Sequence, residues 1–507
     1  MSSIRPRRRA AAAAACALLL PVLSGCFSGP TGGAADGGSG DRRLRVAMAF
    51  PPAQAMSPYG DDAVLLSRLA VVESLTALDE NGTAEPALAT SWKRNGDSGW
   101  TFELRDADFQ DGEPVTAEAV ARSLTAAAEA PTAPRVLSDT DIEATARDEN
   151  TVEITTDGFD PLLPQRLASP SLAILSEAAY GKKGKADPAG HATGPYTLRE
   201  LDGTATATLE RHDGYWGKKA QAPGVDVRFV ADGTARANAL RAGETDVAEA
   251  VPVAQAAVLD EKLVREVPTA RTNSLYLNTA KGVFADAGMR AAARTAVDGQ
   301  ALVDGVYEGR ADAARGLLGP ALPWAAERRV EPEGRAAPAK RAEVRRADEI
   351  VLATYTNRAE LAEVAGTLQQ QLERAGFTVR QVVRDYAQME ADALDGAYDA
   401  FILPRNTLLD TGDPVSYLGS DFTCDGSFNI SQLCDKAVDR AVAEAAGIAG
   451  TERRQQAEMR AEAEILGRDA VVPLLHERFV QGVAEDVEGV SLDPMERTLI
   501  TAETRVG

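Results

Sequence analysis

Residues 350–383 constrain the fold more than any other stretch of the 507. Positions 350–355 (IVLATY) form a short apolar run. Leu361, Val364, Ala365, Leu368 and Leu372 then recur on one face of a helix over 360–375 that stops at Gly376, and 377–383 returns to strand character. A strand, a helix and a strand in that order fold as a parallel pair joined by a right-handed crossover. A third strand, 398–403, fits the same sheet.

The first half has another texture. Leu44, Val46, Met48 and Phe50 alternate with Arg45, Ala47 and Ala49 until Pro51 and Pro52 stop the run, which predicts a first strand ending in a loop. Asp61 or Asp62 can cap a following helix on which Val64, Leu65, Leu69, Val72 and Leu75 keep helical spacing. Asn81-Gly82 marks a hairpin turn, 101–105 a strand, Asp111-Gly112 a turn, and Thr116 the cap of a helix through about Ala130. Strands are expected again at 151–155, 197–210 and 225–230. Hairpins first and strand-helix alternation later predict two α/β lobes with mixed sheets. Between them, 325–347 is charged, proline-containing and weakly periodic; with both signs interspersed it reads as an exposed connection with a helical end.

Arg5, Arg7, Arg8 and Arg9 precede an apolar run over 10–23, too short for a membrane span and suited to the core of an export signal. Leu23-Ser24-Gly25-Cys26 follows and resembles the lipobox of bacterial lipoproteins. That resemblance implies a signal peptide over 1–25 and a diacylglycerol and palmitate anchor on Cys26; in a plain secretory signal Cys26 is incidental. Residues 26–40 hold six glycines and no hydrophobic period, a flexible tether. The folded body is thereby expected on the outer face of the cell membrane, held by lipid. Cys424 and Cys434 remain, ten positions apart in a compartment where disulfides persist, and are expected to be bonded. Two buried thiols are the bland alternative. A metal site is the functional one, poorly served without a nearby histidine.

A net charge of −22 gives the mean field the wrong sign for nucleic acid, and losing the signal segment removes four more arginines. The chain has no P-loop, G-x-G-x-x-G, G-x-S-x-G or C-x-x-C, and its three histidines are His191, His212 and His476. His476-Glu477 begins like a zincin helix, but Val480 stands where the second histidine belongs and 471–475 reads as a strand. No enzymatic activity, cofactor or metal site is expected.

The ordered words of the sequence resemble the family 5 solute-binding proteins of ABC importers, the peptide, nickel and opine class. They include Glu73-Ser74-Leu75, 85–92 (EPALATSW), 100–105 (WTFELR), 109–117 (FQDGEPVTA), Thr193-Gly194-Pro195-Tyr196, Tyr215-Trp216, 243–247 (GETDV), 368–377 (LQQQLERAGF) and Asp413-Pro414. The resemblance implies a two-lobed, periplasmic-binding-protein-like α/β fold with an inter-lobe ligand cleft and an extra subdomain in the first lobe. The first lobe is expected at 41–275, the second at 276–475, with 476–507 returning to the first.

What such a protein holds is implied in the same way. A peptide is the first choice, by closest resemblance to dipeptide- and oligopeptide-binding members; a nickel chelate, an opine, a cell-wall peptide or a sugar stays open. So does a surface receptor that uses the fold without transport. The expected partners are this solute, ABC permease subunits and the membrane through its lipid, with the protein a monomer.

Within Asp410-Thr411-Gly412-Asp413-Pro414, the resemblance puts Asp410 in the place that binds a ligand amine, against a turn role, while Asp413 organises its own turn. Dipeptide-binding members have a similar cystine loop, with an asparagine like Asn429 inside it. The loop 51–59, ending in Tyr59, follows the first strand where members line the ligand, although Ser57-Pro58 replaces their usual Asp-Pro. Tyr276 and Asn278 lie near the lobe crossing, as ligand contacts or as hinge and core. Arg405, just after a strand end, can meet a ligand carboxylate or form an ion pair. Ala192 and Gly299 depart from the family words, and 325–347 lacks the usual helix word, which leaves the ligand open.

Overall fold

The computed structural model describes residues 42–507, apart from 97, 132, 138, 139, 182–184, 357, 409 and 410 and the side chains of 359 and 387. The signal segment, Cys26, the tether and Asp410 therefore lie outside the described residues.

Two long strands, Val264–Leu277 and Val471–Val483, set the frame by running antiparallel side by side. The eleven-stranded main sheet is ordered Val379–Arg384, Ile350–Tyr355, Ala400–Asn406, Val264–Leu277, Val471–Val483, Val247–Ala248, Leu44–Met48, Gly224–Phe229, Thr206–Arg211 and Tyr196–Asp202, with Ala311–Ala313 added against Val471–Val483. The register of the long pair shifts between Pro268 and Thr272. Proline has no N–H to give to a ladder, so the pairing breaks there and the strand bulges. Beyond the bulge, Thr272–Tyr276 pairs on one side with Val471–His476 and on the other with Phe401–Arg405. The bulge is where the two halves of the sheet meet.

The expected strand-helix-strand unit forms. Ile350–Tyr355 pairs in parallel with Val379–Arg384, and Ala400–Asn406 joins in parallel on the other edge. The five residues expected on the inner face of the connecting helix Ala359–Ala375 are fully buried, and each of its leucine and valine side chains contributes roughly 1.5–3 kcal/mol. Gly376, at φ 112°, ends that helix in a conformation that side chains disfavour.

Two expectations are corrected. Residues 197–210 are a hairpin and not one strand, because Asp202-Gly203 turns the chain between Tyr196–Asp202 and Thr206–Arg211. The helix after Asp61 covers only Asp62–Arg68, and neither aspartate caps it; Val71, Val72 and Leu75 are buried from the irregular chain beyond. Three large apolar clusters result. One holds Leu44–Val72 with parts of 173–247 and 483–506, one holds Leu75–Ile174, and the largest is drawn mostly from Leu275–Leu475.

Candidate functional site

Ligands of open α/β sheets lie beyond the carboxyl ends of strands, and here those ends meet at the bulge, where Arg271 faces Asn406 in register. Charged groups gather there. Arg271 Nε lies 3.1 Å from Glu496 Oε1, and Arg68 Nη1 donates to the Glu496 carbonyl at 2.9 Å. Arg68 also pairs with Glu249 at 2.8 Å, both side chains buried, and Glu249 Oε2 accepts from the Ala49 amide at 2.7 Å. Arg358, just past the strand Ile350–Tyr355, pairs with Glu477 at 2.5 Å, and Tyr307 donates its hydroxyl to the same carboxylate at 3.3 Å.

Burial by itself would lower the Arg358 guanidinium, but Glu477, together with Tyr355, Glu496 and Tyr307, outweighs it and holds it above its usual range. Burial likewise pushes Glu496 up, and Arg271, helped by Arg358 and Arg68, pulls it below the usual carboxylate range. Both shifts favour the charged form, as charges withdrawn from water beside a partner require.

Two chain segments reach this place from opposite halves. From the later half comes the turn before the helix Pro414–Phe422. Asp413 Oδ1 accepts from Val415 N at 3.0 Å and its Oδ2 meets Arg454 Nε at 2.8 Å, so Asp413 organises its own turn. Gly412 N donates to the Leu408 carbonyl at 2.9 Å, which Arg497 Nη2 also reaches at 3.2 Å. From the earlier half comes the hairpin Thr76–Leu78 and Ala84–Pro86, with Gly82 in its turn at φ 76°. A Cβ on Gly82 would overlap the Gly412 carbonyl, and a Cβ on Gly412 would overlap the Leu78 side chain. The two backbones touch because neither residue has a side chain.

The structure engages three of the expected ligand residues elsewhere. Tyr276 is a core residue, its ring stacked on Phe422 with centroids 6.0 Å apart and its hydroxyl 3.3 Å from that of Tyr417. Asn278 is buried and donates to the carbonyls of Gly396 and Tyr398. Arg405 forms a buried two-pronged pair with Asp421, at 2.8 and 2.7 Å, under the ring of Phe428, which lies 4.2 Å from its Cζ. This is the ion-pair alternative for Arg405, and removing one member of such a pair costs about 3–5 kcal/mol.

Tyr59 faces the helix Ala117–Ala128 across a cavity of about 480 Å³ shared with Tyr180 and Arg122. Burial pushes its phenol up, with Tyr180 adding to the shift. Cys424 and Cys434 are bonded, and Asn429 braces the loop by donating to the carbonyls of Thr423 and Leu433. His476 is buried with Nδ1 2.9 Å from Thr272 Oγ1; burial, and Arg329 after it, push it down to about 4, which keeps it neutral. Among the described residues, no group of three or more His, Cys, Asp or Glu side chains is placed to hold a metal ion.

Sequence reasoning missed Arg68, Glu249, Arg271, Arg358 and Glu496, and met Glu477 only in a zincin-like pair that it set aside. Only Arg358 carried a signal, its place just after a strand end.

A family model of bacterial extracellular solute-binding proteins, family 5 (middle), matches residues 83–429. The chain belongs to this family. Among curated family 5 relatives, the probable D,D-dipeptide-binding periplasmic protein DdpA of Escherichia coli K12 is 27% identical over 84% of this chain and 86% of its own. The nickel-binding protein NikA of Staphylococcus aureus is 25% identical over 82% of this chain and 83% of its own. Of solved structures, the dipeptide binding protein from Pseudoalteromonas sp. SM9913, in complex with Met-Leu, superposes with a TM-score of 0.77 at 18% identity, covering 92% of this chain and 100% of that one. At that identity the match speaks for the fold, the two-lobed solute-binding architecture. The protein is accordingly an extracytoplasmic solute-binding protein.

Proposed function

We propose that this family 5 protein captures a peptide-like solute where its two long strands cross, holds it between two lobes, and presents it to an ABC permease while a lipid on Cys26 keeps it at the membrane as a monomer. The carrying observation is the contact of Gly82 with Gly412: a hairpin from the earlier half meets the segment Thr411–Asp413 of the later half beside the bulge. Such a contact favours a closed lobe arrangement, the state that a bridging solute stabilises. On this reading the lobes divide near 275 and again near 475, a few residues beyond the bulge.

Asp410 is the residue proposed to pair with the solute's amine. Asp413, its neighbour in the motif, is taken up by Val415 N and Arg454. Relatives named for dipeptide binding support the choice of a peptide. Native mass spectrometry of the purified protein should show a co-purifying peptide. Asp410→Asn should weaken a free dipeptide by about 100-fold at neutral pH, since an ammonium in a closed cleft needs a carboxylate. Equal affinity for free and N-acetylated dipeptides would remove Asp410 from this role.

Nickel-binding relatives favour a second reading, in which the solute is a metal chelate. With no metal-holding cluster among the described residues, that chelate would bring its own ligands. Titration with Ni(II) in the presence and absence of histidine separates the two readings.

A further inference from the structure

The loop after the first strand is held by one buried acid. Asp62 is 1% exposed, and its two oxygens accept from three backbone amides: Oδ1 from Ala53 N at 2.8 Å, Oδ2 from Gln54 N at 2.8 Å and from Met56 N at 2.9 Å. Between these amides the chain passes through Ala55 at φ 53° and Met56 at φ 61°, two consecutive side-chain-bearing residues in the left-handed region. A Cβ disfavours that region, so the conformation persists only where its surroundings over-determine it. The Asp62 carboxylate supplies that constraint from above. The Met56 side chain, fully buried in the core with Leu65 and Leu66, supplies it from below.

The fixed loop is tied to the strand crossing at both ends. Its first amide, Ala49 N, is bonded to Glu249, and Glu249 pairs with Arg68 at the end of the seven-residue helix that Asp62 begins. Arg68 in turn reaches the Glu496 carbonyl beside Arg271. What the loop shows to solvent is uncharged. Phe50 is 60% exposed, Pro51, Ala53 and Gln54 are exposed, and no ionisable acid or base occurs from Ala49 to Pro58. A loop that only joined a strand to a helix needs neither a triply bonded buried carboxylate nor an exposed phenylalanine.

We propose that Asp62 is a positioning residue for solute selectivity: its carboxylate holds loop 49–58 so that Phe50 meets an apolar side chain of the captured solute. This rests on the reading that the solute lodges at the strand crossing. The loop contributes apolar contact and no ion pairing, so it discriminates bulky from small side chains without changing the affinity for the peptide's charged ends.

The experiment compares the full-length protein with its Asp62→Asn and Phe50→Ala variants. Asparagine keeps the shape but has one acceptor oxygen, so in either orientation its NH2 group faces at least one of the three amides. Hydrogen exchange should be at least about tenfold faster at Ala53, Gln54 and Met56 in Asp62→Asn, with protection in the strand Val471–Val483 unchanged. The affinity ratio of Leu-Phe to Ala-Ala should fall about tenfold in both variants while Ala-Ala binding holds. Unchanged exchange overturns the proposal, and so does faster exchange with an unchanged ratio, which would make Asp62 structural only. If the parent binds neither dipeptide, the peptide reading itself fails and the selectivity claim falls with it, an outcome distinct from binding with an unaltered ratio. Phe50→Ala leaves the buried acid in place, so the ratio is still decided should Asp62→Asn fail to fold.

Discussion

One buried carboxylate near Asp413 shares its cation with a second acid. Glu458 is fully buried 3.6 Å from Arg454 Nε, but that guanidinium is already paired with Asp413 at 2.8 Å. One cation does not balance two carboxylates out of water. Burial first, and the Asp413 charge second, therefore hold Glu458 well above the ordinary value of 4.5, as a neutral acid. The folded state then binds this proton more tightly than the unfolded chain does. Stability from this group is present below about pH 4.5 and is lost as pH rises to the raised folded value, beyond which the loss is constant. Glu458→Gln keeps the volume and the neutrality, so the variant is expected to lose that decline and to be at least as stable as the parent at about pH 8. Urea midpoints at about pH 5 and pH 8 test it, and a variant weaker than the parent at the higher pH refutes it. At this scale, what was legible was local. Thr116 caps its helix through an amide three residues on, at 3.2 Å, as its sequence position implied. Nothing near Arg405 announced Asp421, because the pair depends on a helix folding back over a strand end.

Among the elements, the cystine loop has the clearest energetic consequence. The Cys424–Cys434 bond closes ten residues of sequence separation, and inside it Phe428 covers the Arg405 guanidinium. Loop-closure entropy for a ring of this size is worth about 3 kcal/mol. Replacing both cysteines by serine should lower stability by about that much, and reductant should do the same to the parent but not to the variant. Equal denaturation midpoints for parent and variant would contradict the assignment. The parallel unit over 350–384 was legible from its period, since a buried helical face and two apolar strands each write their pattern within one element. The hairpin at 196–211 was not, because its residues alternate on both sides of a turn whose Asp-Gly signal is only two residues long. The helix after Asp61 ended early because the chain leaves helical geometry at Ala70, at φ 54°, a turn that no glycine or proline in the sequence announces.

For the whole molecule, the hairpin turn at Gly82 lies against the Gly412 carbonyl of the later half with no room for a Cβ between them, and the proposed closure makes this its test. Gly82→Val puts a branched side chain into the Gly412 carbonyl and strains a residue at φ 76°. The variant is expected to keep the fold, to show a larger radius of gyration by small-angle scattering, and to bind the co-purifying solute at least about tenfold more weakly. A parent-like radius together with parent-like affinity would show that the hairpin takes no part in closure.

The sequence by itself determined the family, the strand-helix-strand core and the bonded cysteines' neighbourhood, because those patterns repeat over two to four residues or stand as contiguous words. Only the tertiary structure decided which charges meet. Ala49 and Glu249 are 200 positions apart and Arg271 and Glu496 are 225, and no periodicity within an element reports a neighbour at that distance. The crossing of two long strands brings them together, and withdrawal from water then requires each charge to find a partner.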